Sequence, residues 1–139
     1  MTGLSTHNLL GPGPVYPGVY TDPGRWRRAT VVEMSDPRYS DVPRPKNWLG
    51  VKVLWKISTA YRGPVWISGS RVNSSESMKF SGGAAVSRVL HFRAHGAWPS
   101  QSFVPEPGCY AWHIRGRGFH LTLVFRAVCL ADRGAKPCG

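Results

Sequence analysis

The stretch Cys109-Tyr110-Ala111-Trp112-His113-Ile114-Arg115-Gly116-Arg117-Gly118-Phe119-His120-Leu121-Thr122-Leu123-Val124-Phe125-Arg126-Ala127 decides the fold class. Two runs rich in aromatic and β-branched residues flank a Gly-Arg-Gly, the pattern of two strands joined by a tight turn. With Arg117-Gly118 as a two-residue turn, Gly116 faces Phe119. Ile114 then faces Leu121, Trp112 faces Leu123 and Tyr110 faces Phe125, so one side of the hairpin is continuously apolar. A slip of one residue sets Trp112 against Thr122 and Ile114 against His120, which mixes the two sides. The first register is therefore expected, with Arg115 opposite His120, His113 opposite Thr122 and Cys109 opposite Arg126 on the other side.

Upstream, Val51, Val53, Trp55 and Ile57 alternate with Lys52 and Lys56. A period of two with one dry and one wet side is a strand; a helix would scatter those apolar residues around its circumference. Pro64 to Gly69 reads as a strand in which Val65 and Ile67 flank Trp66, with Pro64 admissible at its start. Residues 69–84 are Ser- and Gly-rich loop with a short extended piece at Met78 to Phe80. Ala84 to Arg93 reads as a strand, with a helix as the weaker alternative, and Gln101 to Val104 is a short strand closed off by Pro105 and Pro107. At least six short strands with no convincing long helix give an all-β chain: a single antiparallel β-sandwich, immunoglobulin-like, preferred to a small barrel because the strands read as half-buried and the connections are uneven.

Residues 1–24 form an extended Gly/Pro-rich N-terminal arm, and 25–139 the sandwich domain. Gly11-Pro12-Gly13-Pro14, Pro17-Gly18 and Pro23-Gly24 punctuate the arm, and proline, which lacks an amide donor, excludes a central strand or a helix there. Leu9, Leu10, Val15, Tyr16, Val19 and Tyr20 are nevertheless too apolar for a free tail. They are expected to lie on the domain or to dock on a second copy as an assembly arm.

The 139 residues suit one domain, and with 42% hydrophobic residues and six Trp the chain has material for a core. No apolar run approaches the ~18 to 20 residues of a membrane span; the longest, Phe119 to Ala131, is broken by His120 and Arg126. Met1 to Leu10 lacks the basic and apolar regions of a signal peptide. The formal net charge of +11 is carried by thirteen Arg and five Lys, and guanidinium groups suit bidentate contact with phosphate, sulfate and carboxylate. The candidates for anion binding are Arg25, Arg27 and Arg28, clustered around Trp26, together with Arg115 and Arg117 at the hairpin tip.

Catalysis and cofactors find no support in the sequence. Cys109 and His113 lie four apart on one strand, about 13 Å, too far for one ion; His91 and His95 fail for the same reason. There is no Gly-x-Ser-x-Gly elbow and no Gly-rich loop opening a helix. No cofactor, metal or catalytic residue is expected. Cys129 is too far along the hairpin to bridge Cys109, whereas a tail containing Gly134 and Pro137 can fold back, so a Cys129–Cys138 disulfide with Cys109 as a lone thiol is the expected pairing in an oxidising compartment.

Pro107-Gly108-Cys109-Tyr110-Ala111-Trp112, followed by Gly118-Phe119 and Val124-Phe125-Arg126-Ala127, resembles the C-terminal hairpin of a family of uncharacterised bacterial secreted or lipoprotein-type domains. Gly13-Pro14-Val15-Tyr16-Pro17, Lys52-Val53-Leu54-Trp55, Tyr61-Arg62-Gly63-Pro64-Val65 and Trp98-Pro99-Ser100 extend the resemblance over most of the chain. It implies an extracytoplasmic β-sandwich, secreted or at the cell surface, and no established activity. Cys129, Cys138 and the high Arg content depart from the pattern.

The functional expectation is a non-enzymatic extracytoplasmic module with a binding or structural role at the cell surface, partnered by a second copy or a surface component. The first alternative is a binder of anionic polymer, nucleic acid or acidic polysaccharide, through Arg interleaved with Trp26, Trp48, Trp66, Trp98 and Trp112. The second is a metal or redox protein using Cys109, His113 and His120.

Overall fold

A computed structural model describes residues 7–20, 30–34, 45–82 and 85–129. These residues form ten strands and no helix: β1 (His7–Leu9), β2 (Val15–Tyr20), β3 (Val31–Met34), β4 (Leu49–Ile57), β5 (Val65–Arg71), β6 (Lys79–Ser81), β7 (Leu90–Phe92), β8 (Gly96–Val104), β9 (Gly108–Gly116) and β10 (Phe119–Cys129). The strands make two five-stranded sheets, in the orders β1-β2-β4-β8-β6 and β3-β10-β9-β5-β7. The inner sides of the two sheets meet in one core, so the fold is a β-sandwich.

The hairpin register is the expected one: Ile114 faces Leu121, Trp112 faces Leu123, and Tyr110 faces Phe125. Tyr110, Trp112, Ile114 and Phe125 are fully buried, while Leu121 and Leu123 pack against the core from its rim. Val51, Val53, Trp55 and Ile57 of β4 fill the facing sheet. The two layers interlock where the Trp55 and Trp112 rings meet edge to face, with centroids 5.6 Å apart at 83°. That geometry sets the positive ring edge against a negative ring face.

Several expectations are corrected. Proline does not keep residues 15–20 out of the sheet, because β2 lies between β1 and β4 with Pro17 opposite Trp55. Pro17 turns its backbone polar groups toward β1, where its carbonyl accepts from Leu10 N–H at 3.1 Å just past the end of that short strand. The missing donor thus falls at the fringe of the ladder. Val15 and Val19 are fully buried in this chain's own core, so neither is offered to a second copy as an assembly contact. Leu10 packs against that core and Leu9 is exposed.

The pairing is not wholly antiparallel either. β3 runs parallel to β10, with Val31 opposite Arg126 and Met34 opposite Cys129. β5 continues to Arg71, and β8 begins at Gly96, with Pro99 where β6 no longer pairs. Among the described residues 85–93 the strand is only Leu90–Phe92, and Val89 is 49% exposed.

Candidate functional site

The second sheet carries the chemistry on its outer side. Val65 and Ile67 of β5 point into the core, and strand alternation therefore turns Trp66 outward. Trp66 lies opposite His91 on β7 and opposite Arg115 on β9, and Arg115 lies opposite His120 on β10. His91, Trp66, Arg115 and His120 thus stand in one row across four adjacent strands.

The imidazole of His91 stacks on the Trp66 indole, with centroids 5.1 Å apart and planes 8° from parallel. From the opposite flank, the Arg115 guanidinium carbon sits over the same ring, 5.6 Å from its centre. Arg115 is exposed, so its N–H donors remain open to solvent. An arginine held in this way keeps its donors for an oxyanion and has less side-chain freedom to lose on binding. In the next row, His113 Nε2 lies 2.9 Å from Ser70 Oγ.

No carboxylate among the described residues pairs with this row. The ion pairs there belong to Arg71, at the other end of β5, which engages Glu76 at 3.6 Å and forms a short contact with Glu106.

Tyr61 holds the tip of the hairpin in place. Its hydroxyl donates to the Pro64 carbonyl and accepts from the Arg117 N–H, both at 2.7 Å, and its ring meets Phe119 edge to face. A Cβ at Gly116 would collide with the Phe119 ring and the Tyr61 hydroxyl. Gly118 takes φ +77°, a backbone region that side chains disfavour. These constraints fix the turn that carries exposed Arg117 beside Arg115.

Of the residues singled out for anion binding, Arg115 and Arg117 thus come together at one end of the outer face. Arg25, Arg27 and Arg28 lie outside the described residues. Trp66 was read as one of several interleaved aromatics and His91 as a failed metal ligand. The signal that unites them was present in the alternation of Val65, Trp66 and Ile67, but only the pairing of β5 with both β7 and β9 joins them.

The expected cysteine arrangement is corrected. Cys109 is disulfide-bonded and Cys129 is a free thiol, so a Cys129–Cys138 bridge with a lone Cys109 is not the arrangement formed. Side-chain direction is the reason. Cys129 shares the inward parity of Phe125 and Ala127, whereas Cys109 is turned to the outer side opposite Arg126. Cys138 itself lies outside the described residues. The disulfide also takes the sulfur that a copper-type centre with His113 would require. Among the described residues, no group of three His, Cys, Asp or Glu is placed to hold a metal ion, and no helix is long and apolar enough to cross a membrane.

No protein-family model, curated protein or solved structure matches this chain.

Proposed function

We propose that this protein is a non-enzymatic binding module working outside the cytoplasm, and that it holds an anionic polymer on the outer side of its second sheet. The observation that carries this reading is the Arg115 guanidinium held over the Trp66 ring on which His91 also stacks, with no carboxylate among the described residues paired to the row. An exposed guanidinium held near an aromatic ring, with exposed Arg117 two residues further on, matches the oxyanions of a charged chain.

The disulfide at Cys109 supports an oxidising compartment, in keeping with the exported domains that the hairpin resembles. The immunoglobulin-like character of the sandwich is supported by Tyr110, whose hydroxyl returns to the Glu106 carbonyl at 2.7 Å at the start of β9, a corner that recurs in such folds. A role in self-assembly through residues 9–20 loses support because Val15 and Val19 are spent in the core.

Acidic polysaccharide fits this surface better than nucleic acid. The Trp66 ring is already engaged by the stacked His91 imidazole and by the Arg115 cation, which leaves less of the indole open for a base to stack on. The test is a titration of wild-type protein and Arg115→Gln with heparin, polygalacturonate and single-stranded DNA, at low salt and at about 0.3 M salt, where diffuse charge attraction fades. Affinity for a polysaccharide that persists at the higher salt and drops several-fold in Arg115→Gln is expected. Equal affinity of the two proteins for all three polymers would refute the reading.

A further inference from the structure

A second cationic feature lies on the first sheet, away from the row described above. Pro45, Lys79, Val86, Ser87 and Arg88 line a cavity of about 380 Å3. Its frame is an isolated antiparallel bridge in which Phe80 and Ser87 exchange both backbone hydrogen bonds, at 2.7 and 2.8 Å. Phe80 is fully buried, so its neighbour Lys79 is turned to the outer side of the sheet. The register of the bridge sets Lys79 opposite Arg88.

Like charges facing each other on paired strands are destabilising. Neither cation makes an ion pair with a carboxylate among the described residues. Lys79 instead places its ammonium 4.7 Å from the centre of the Trp48 ring. That contact orients the lysine but leaves its charge in place. One tight turn supplies both the aromatic and a cavity wall, for the Trp48 N–H reaches the Pro45 carbonyl at 3.4 Å across Asn47, which has φ 65°. The result is a pair of cationic side chains lining one cavity, with no carboxylate among the described residues to offset them.

We propose that this cavity binds the phosphate group of a phosphomonoester. Such a group carries about −1.5 to −2 charges at pH 7, which balances two cations where a sulfate ester or a carboxylate, with one charge, does not. Arg88 offers the planar fork that suits two phosphate oxygens, and Lys79 a point charge for the third. The cavity is larger than a phosphate alone requires, and Pro45 and Val86 give apolar contact to the organic part of the ester.

The test is calorimetric titration of the full chain at pH 7.5 with glycerol 3-phosphate, inorganic phosphate, methyl sulfate and glycerol, alongside the variants Lys79→Gln, Arg88→Gln, Lys79→Arg and Trp48→Phe. Saturable binding of glycerol 3-phosphate is expected, about tenfold tighter than methyl sulfate, with no heat from glycerol. Affinity should fall about tenfold or more in Arg88→Gln and Lys79→Gln, hold within a few-fold in Lys79→Arg, and be unchanged in Arg115→Gln. Ligand-induced quenching of tryptophan fluorescence should disappear in Trp48→Phe. Co-sedimentation with vesicles containing phosphatidic acid, without heat from glycerol 3-phosphate, would place the phosphomonoester on a lipid headgroup and support the same site. Methyl sulfate binding as tightly as glycerol 3-phosphate, or Arg88→Gln binding like wild type with native circular dichroism, would overturn the proposal. Because Lys79 and Arg88 are remote from Arg115, that failure would leave the polymer-binding reading standing.

Discussion

Trp112 on β9 donates its indole N–H across the core to the hydroxyl of Ser102 on β8, 3.3 Å away. Its edge-to-face partner Trp55 donates within its own sheet, from β4 to Ser100 of neighbouring β8, at 2.8 Å. Two serines two residues apart on one strand thus satisfy both buried indoles, one in each sheet. A buried tryptophan N–H without a partner costs about 1–3 kcal/mol. Ser102→Ala and Ser100→Ala should each destabilise the fold by about that amount in urea denaturation, against less than about 0.5 kcal/mol for the surface change Ser75→Ala.

Gly116 is a steric requirement of the hairpin tip, since any Cβ there meets Phe119 and Tyr61. Gly116→Ala should cost about 1–3 kcal/mol through overpacking. Tyr61→Phe, which strands the Arg117 N–H and the Pro64 carbonyl, should cost about 1–2 kcal/mol. Thermal unfolding of the two variants measures both effects.

Burial pushes the Tyr110 phenol above its ordinary value of 10.0, against the opposing pull of nearby Arg71. The unfolded chain therefore releases this proton first as pH rises, and each increment of pH above about 10 favours unfolding until the folded phenol also ionises. The stabilisation that Tyr110 gains from remaining neutral is complete below pH 10 and is lost through its raised folded pKa. Tyr110→Phe should show a shallower fall in melting temperature between pH 9.5 and pH 11 than wild type. Parallel curves would show that Tyr110 is not the group responsible.

The two described cysteines should react differently. Without reductant, iodoacetamide should label Cys129 under denaturing conditions and leave Cys109 unlabelled; after reduction, both should be labelled, as peptide mass spectrometry would read. Reduction should lower stability by about 2–4 kcal/mol, whereas Cys129→Ser should preserve the disulfide.

Much of the fold was legible because strand alternation is a local property. The side of the sheet that Val51, Val53, Trp55 and Ile57 share follows from a period of two, and the pairing of Trp112 with Leu123 follows from keeping one side of a hairpin dry. β2 was not legible, because Pro17 signals exclusion from a sheet wherever it stands. Only the position of its backbone groups at the end of short β1 makes it acceptable. β3 was missed because four residues that pair in parallel with a strand about 95 positions away carry no turn signal of their own.

The candidate sites divide in the same way. From the sequence by itself came the all-β class, the hairpin register, and the placement of Arg115 and Arg117 at one tip, since each depends on neighbours along the chain or across one short turn. The tertiary structure alone decided that His91 and Arg115 both meet Trp66, that Lys79 and Arg88 line one cavity, and that Cys109 rather than Cys129 enters a disulfide. Those juxtapositions depend on which strands become neighbours and which way side chains project from them. That choice is made by burial of the whole core, not by any local pattern.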